Sequence, residues 1–201
     1  MDALEAIFTR RSTRKFSSKM PEKELIEKVI DAGRFAPSGS NSQNTHFIVF
    51  TDKTILTTLA DLVRSEFSKM EATEETYISL RNAINASKTS NYVFHYEAPV
   101  FIVVANKKNY GNAMADSACA LENMMIAANA LDLGSCWINQ LHWLDENKVI
   151  RNFLHRYGLN DEETVTGALI LGYAESGLPN RTALDRKGNT VTWVDETKFS
   201  S

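Results

Sequence analysis

The densest run of chemistry-bearing side chains lies at Arg10-Arg11-Ser12-Thr13-Arg14-Lys15-Phe16. Four cations in six residues make an anion site. Arginine offers planar, forked donors that match phosphate oxygens, and Ser12 adds a hydroxyl. The same residues also read as a solvated basic face. A second polar stretch, Pro37-Ser38-Gly39-Ser40-Asn41-Ser42-Gln43, is made of turn formers and reads either as a connection or as a ligand loop. Its Asn41 and Gln43 amides can pair with a flat heterocycle that carries both donors and acceptors. A third, Gly134-Ser135-Cys136-Trp137-Ile138-Asn139-Gln140, can present backbone N–H groups where a strand ends. Its plainer reading makes Trp137 and Ile138 core and Gly134 a helix stop.

Hydrophobic spacing supplies the elements around these stretches. Residues 2–9 predict a helix with Leu4, Ile7 and Phe8 on one face, leading directly into the basic run. A second helix starts near Pro21 and ends near Ala36-Pro37, which places the second stretch at its exit. His46–Thr51 and Pro99–Ala105 read as buried strands, with a helix from about Lys53 to Met70 between them. Residues 71–95 are mixed and predict only partial helix. The segment Ala113–Leu133 is apolar on nearly all sides and rich in alanine. It must be covered all round, by the rest of the fold or by a second subunit. Gly134 is expected to close it. Ser135–Ile138 reads as a short strand, Asp145–Tyr157 as a helix and Thr164–Gly172 as a strong strand. The order predicts α+β or three-layer α/β.

Composition bounds the function. The 201 residues suit one domain, with no low-complexity linker or repeat. A net charge of -3 argues against an overall basic nucleic-acid binder. Met1-Asp2-Ala3-Leu4-Glu5 carries acids where a secretory leader would be basic. Asp116, Glu122 and Asp132 make the long apolar segment a poor membrane span. Cys119 and Cys136 form no CxxC, which fits a reducing cytoplasm, and both read as packing residues. His46, His95, His142 and His155 lack metal-ligand spacing and read as surface or capping residues. Met124 and Met125 read as core or subunit interface. There is no G-x-G-x-x-G after a strand, no P-loop and no G-x-S-x-G.

Taken together and in order, the three stretches resemble the nitroreductase family. Residues 10–16 are similar to its R-R/H-S-x-R/K-x-F/Y opening, and residues 37–43 to its P-S-x-x-N-x-Q-P-W segment. Residues 131–138 are similar to its G-L-G-S-x-W-I segment. Leu171-Gly172-Tyr173, followed by Arg181 and Arg186-Lys187, is similar to its L-G-Y-P ending. The likeness spans about residues 3 to 194. It implies an α+β, three-layer α/β/α fold with a central mixed or antiparallel sheet, built as an intertwined homodimer with FMN at the interface.

The resemblance also implies roles. Arg10, Arg11 and Ser12 would contact the FMN phosphate and ribityl chain. Arg14 would lie by the pyrimidine edge, where a fixed cation stabilises the negative charge of the reduced flavin. Pro37, Ser38, Asn41 and Gln43 would reach the FMN of the other subunit. Trp137, Ile138 and Asn139 would set N–H groups near N5 and O4. Arg186, with Lys187, would close on the phosphate, and Arg181 is a second choice for that contact. Asn91-Tyr92-Val93-Phe94-His95 is similar to an N-Y-V-F-N run of some relatives, which would put Asn91 by the flavin ring. Residues 60–97 would form the substrate lid.

Three departures stand out. The family's Pro-Trp is Asn44-Thr45, its final Pro is Ala174, and an acidic-Gly pair is Asn139-Gln140. The last alters the surface above N5. The resemblance implies a cytoplasmic, NADH- or NADPH-oxidising ping-pong enzyme acting on nitroaromatics, quinones or similar acceptors. The other readings are a same-fold dehalogenase, flavin-cleaving enzyme or enone reductase, a flavin storage or sensor protein, and a flavin-free basic-patch protein.

Overall fold

The computed structural model describes residues 1–89, 91–176 and 182–194. The helices are α1 (Ala3–Thr9), α2 (Lys23–Arg34), α3 (Lys53–Ser68), α4 (Ile78–Ser87), α5 (Ala113–Ala130), α6 (Gln140–Trp143) and α7 (Lys148–His155). The strands are β1 (His46–Phe50), β2 (Val100–Lys107), β3 (Gly134–Ile138) and β4 (Glu163–Gly172). They form one sheet of order β1-β2-β4-β3, antiparallel at each pairing. Parallel geometry enters as a single bridge, Ser12 to Ser135, beside β3.

Alternation along β2 explains the layers. Phe101, Val103 and Ala105 pack with α3, α4, α6 and α7. Val100, Ile102 and Val104 pack with α2 and α5. The sheet is therefore buried on both faces, which is why β2 and β4 read as continuous apolar runs. A full burial of each such side chain contributes roughly 1.5–3 kcal/mol.

Local signals set most boundaries. Asp52 caps α3 by accepting from the Ile55 N–H, and Asn147 caps α7 by accepting from Val149 and Ile150. Asn147, not Asp145, starts that helix, and the predicted 145–157 helix is shorter, with α6 preceding it. Asp145 is buried instead. It accepts from the Val165 N–H at 2.8 Å and Thr164 Oγ1 at 2.6 Å, and pairs with Arg151.

The close of α5 also differs from expectation. The Leu133 N–H bonds back to Ala128 and the Asp132 N–H to Asn129, and Asp132 takes the left-handed position at φ 61°. An aspartate tolerates that conformation. Gly134 already belongs to β3.

Packing decides which way α1 faces and overturns one expectation, the burial of Cys119. The apolar face of α1 points outward, with Leu4 63% and Phe8 52% exposed, because Ala6 and Thr9 face α5 instead. Asn129 of α5 donates to the Ala6 carbonyl and to Thr9 Oγ1. Cys119 on α5 is exposed, while Cys136 is buried as expected. No helix among the described residues is long and apolar enough to cross a membrane.

Candidate functional site

Residues 10–16 leave α1 as an extended segment laid against β3. The Thr13 N–H donates to the Ser135 carbonyl at 2.9 Å. Thr13 is buried over Gly134, where any Cβ would come within 2.8 Å of the threonine side chain. That contact explains the glycine. Side chains alternate along extended backbone, so Thr13 points inward while Ser12 and Arg14 point out. Phe16 bridges to Ala174, and the Glu175 N–H donates to the Lys15 carbonyl. Arg10 pairs with Glu122 of α5 at 3.6 Å. The Arg11 guanidinium folds back onto the Phe8 and Arg10 carbonyls and also donates to the Thr182 carbonyl.

Arg14 opens onto a cavity of about 410 Å³ between the end of β3 and α4. Trp137, Ile138, Asn139 and Gln140 line one side, Ser79, Asn82, Ala83 and Ala86 of α4 another. Tyr92, Tyr96 and Trp143 complete it, and no carboxylate is among the described lining residues. The Arg14 guanidinium lies 6.0 Å from the Tyr96 ring centroid. Tyr96 and Glu97 both hold left-handed backbone, φ 53° and 56°. Trp137 Nε1 donates to Asn139 Oδ1 at 2.6 Å, which leaves the Asn139 amide N–H groups for the cavity side. Gln140 Nε2 donates to the Tyr92 hydroxyl at 3.2 Å. Burial pushes the Tyr92 phenol up to about 12.

A second cavity, about 810 Å³, lies by the exit of α2. Pro37, Ser38, Asn41 and Gln43 line it, with Gly33, His46 and Asp116. Ser40, Asn41 and Gln43 are all left-handed, φ 51–53°. Three such residues in four store strain of order 1–3 kcal/mol each, so the surrounding structure must impose them. Asp116 of α5, 6% exposed, does part of this. Its carboxylate accepts from the Gly39 N–H at 3.1 Å and from the Tyr110 hydroxyl at 3.0 Å. Tyr110 is also in hydrogen-bond reach of Ser42 Oγ and the Gly39 carbonyl. Nearby, His46 Nδ1 lies 3.0 Å from Glu163. Burial opposes the Glu163 charge, but the Asn160 N–H and His46 hold its carboxyl below the ordinary value.

The structure thus brings Arg14, Trp137, Ile138 and Asn139 into one cavity, and Pro37, Ser38, Asn41 and Gln43 into another. No described residue lines both. Arg10, Arg11 and Ser12 run along the extended segment outside both. Asn91 is exposed and lines neither; its neighbour Tyr92 takes that place. Arg186 and Lys187 are exposed and apart from both cavities, and Arg181 lies outside the described residues.

Sequence reasoning missed Tyr92, Tyr96, Trp143 and Asp116, and gave Gln140 a place above N5 but not its bond to Tyr92. Aromatic and amide residues in a mixed segment carry no periodic signal. A carboxylate in the first turn of an apolar helix is the one clue that Asp116 had a dedicated partner. His95 is a further correction. It is 5% exposed rather than on the surface, and neither ring nitrogen has a hydrogen-bond partner among the described residues. Burial pushes its imidazole below the ordinary 6.5. Among the described residues no group of His, Cys, Asp and Glu could hold a metal ion.

This geometry can be set beside known proteins. The profile of the Nitroreductase family matches residues 7–173. A protein of Archaeoglobus fulgidus, provisionally named NADH dehydrogenase/NAD(P)H nitroreductase, is 30% identical over 176 residues, covering 86% of this chain and 85% of that protein. The 4-nitrobenzoate reductase of Pseudomonas putida is 26% identical, with 84% of each chain covered. Among solved structures, a nitroreductase with bound FMN from Bacteroides fragilis superimposes with a TM-score of 0.85 at 30% identity, over 97% of this chain and 100% of that one.

Proposed function

The chain belongs to the nitroreductase family, and from that premise we propose that it is a single-domain, FMN-dependent oxidoreductase passing electrons from NADH or NADPH to an electron-poor acceptor. The observation that carries this reading is the meeting of Arg14 with the Trp137–Asn139 strand end in one cavity with no carboxylate among its described lining residues. A donor-rich, acid-free site suits a ring that becomes anionic on reduction. Residues 10, 12 and 14, spaced along extended backbone, fit a ligand with phosphate at one end and a heterocycle at the other.

When bound, FMN supplies the redox chemistry at its N5 position. Arg14 would place a cation by the pyrimidine edge. Backbone N–H groups of residues 137–139 would hold the opposite edge, and Arg10, Arg11 and Ser12 the ribityl phosphate, with Arg186 and Lys187 of the tail closing on it. Hydride would arrive from the nicotinamide and leave to the acceptor in turn, through the same space under α4, with residues 60–97 excluding water. Nitroaromatics and quinones are the acceptor classes this surface suits.

The second cavity gives a reason for a homodimer. Asn41 and Gln43 sit in a strained, anchored loop that contributes nothing to the Arg14 cavity of its own chain. In a dimer they would complete the partner's flavin site. Exposed apolar side chains support this: Leu4, Phe8, Phe35 at 86%, and Val191, Trp193 and Val194 of the tail at 71–78%. A second subunit would cover part of this exposed apolar surface.

The purified protein should be yellow, or become so with added FMN, and should bleach within seconds of anaerobic NADH or NADPH addition. Persistent yellow would instead indicate flavin storage or sensing, and a colourless protein that takes up no FMN would sink both readings. Arg14→Ala should weaken FMN binding and slow reduction by about tenfold each, the worth of one charge-assisted hydrogen bond. Wild-type values would remove Arg14 from the site. A stable, flavin-loaded, active monomer in solution would contradict the roles of Asn41 and Gln43.

A further inference from the structure

We propose that Tyr92, aimed by Gln140, donates a hydrogen bond to an oxygen of the electron acceptor; the inference rests on the functional reading above and assigns the residue that recognises the acceptor. The geometry is specific. The Tyr92 hydroxyl accepts from Gln140 Nε2 at 3.2 Å, so its oxygen is engaged and its proton must point elsewhere. No described residue accepts that proton, while the Tyr92 side chain lines the Arg14 cavity. Burial keeps the phenol neutral at any working pH. Tyr92 is thus a permanent, uncharged donor in a cavity with no carboxylate among its described lining residues.

The chemistry needs such a donor. Reduction of a quinone to a hydroquinone takes a hydride, delivered from NAD(P)H by way of the flavin, and one proton from water. As the hydride arrives, negative charge grows on the acceptor's oxygen. A fixed donor at that oxygen stabilises the transition state more than the ground state. Tyr92 keeps its own proton throughout. Gln140 is the positioning residue, since it decides which way the hydroxyl points. Gln140 stands where the family's acidic-Gly pair has its glycine, so the donor that engages the Tyr92 oxygen is a side chain that pair lacks; a carboxylate at position 140 would accept the Tyr92 proton and turn the donor away.

The test uses FMN-loaded protein and two unreactive, untitratable probes. These are 4-methoxyacetophenone, which carries a carbonyl, and 4-ethylanisole, the same shape without it. Binding is measured by calorimetry from pH 5 to pH 8. In the wild type the affinity ratio of the ketone to its ethyl analogue should be flat with pH. Tyr92→Phe should lower that ratio about tenfold, as expected for one buried hydrogen bond. Gln140→Glu should lower it similarly at pH 8, with recovery towards pH 5 as the new carboxyl protonates and becomes a donor again. A purely structural role for Gln140 would give no such pH profile. An unchanged ratio in Tyr92→Phe, or a pH-independent ratio in Gln140→Glu, would overturn the inference. Either result, in protein that holds FMN and is reduced by NAD(P)H, leaves the functional reading standing. Failure to hold FMN would sink both.

Discussion

The two cavities are held by opposite means. The Arg14 cavity is framed by backbone: residues 10–16 are laid along β3, with Thr13 seated on Gly134 and Phe16 bridged to Ala174. The second cavity is framed by a side chain: the Pro37–Gln43 loop takes its shape from the buried Asp116 carboxylate and the Tyr110 hydroxyl. Backbone pairing at a sheet edge is cooperative and tolerates side-chain change. A strained loop resting on one carboxylate is not cooperative. The loop half should therefore be the more fragile to a single polar substitution, and the strand half to added bulk.

The largest expected effect is at the loop. Asp116→Ala strands the Gly39 N–H and takes from the Tyr110 hydroxyl its charged acceptor, leaving it Ser42 and the Gly39 carbonyl, and should cost about 3 kcal/mol for two lost hydrogen bonds to a charged group. Chemical denaturation measures it, and a loss below 1 kcal/mol would mean the loop is held in some other way. FMN titration of the same variant should give weaker binding, since Asn41 and Gln43 lose their frame. Next is the strand half. Gly134→Val drives a side chain into Thr13 and should cost about 2 kcal/mol by overpacking. It should also misplace Arg14 and weaken FMN binding, whereas Gly134→Val with wild-type stability would show that the segment lies off β3.

The smallest effect concerns the wall between the cavities' chemistry and the core. His95 precedes the left-handed pair Tyr96 and Glu97, and packs edge-on to Phe94 at 5.3 Å. Its folded pKa is depressed, so below about pH 6.5 the unfolded chain binds the proton more readily. Stability conferred by the neutral ring is present above 6.5 and is lost as pH falls towards the folded value. The melting temperature should drop from pH 7 to pH 5, and His95→Leu should flatten that drop. An equal slope in the variant would assign the acid sensitivity to other groups.

How much of this was legible beforehand depended on whether the signal was local. Strands β2 and β4 announced themselves because burial on both faces forces an unbroken apolar run. Asp52 and Pro37 marked boundaries through chemistry confined to one turn. Arg14 and the Trp137–Asn139 end were readable from residue type and order, through the family resemblance. Residues 71–95 were not. Their helix α4 shows its apolar side only partly, because the other side faces a cavity rather than core or open solvent. Asp132 and Gly134 both fit a helix end by residue type; the left-handed backbone of Asp132 marks the end, and the packing of Thr13 on Gly134 shows that the glycine serves β3 instead.

The sequence by itself determined the elements, the basic opening segment, and the polar loop and strand end, since each depends on residues near one another in the chain. Only the tertiary structure decided what met what. It sent α1's apolar face outward, put Asp116 under the loop, and separated Asn41 and Gln43 from Arg14. It also brought Gln140 to Tyr92, 48 residues away. The physical reason is the same in each case: a hydrogen bond or a contact across the fold is fixed by how the layers pack, and spacing along the chain carries no record of it.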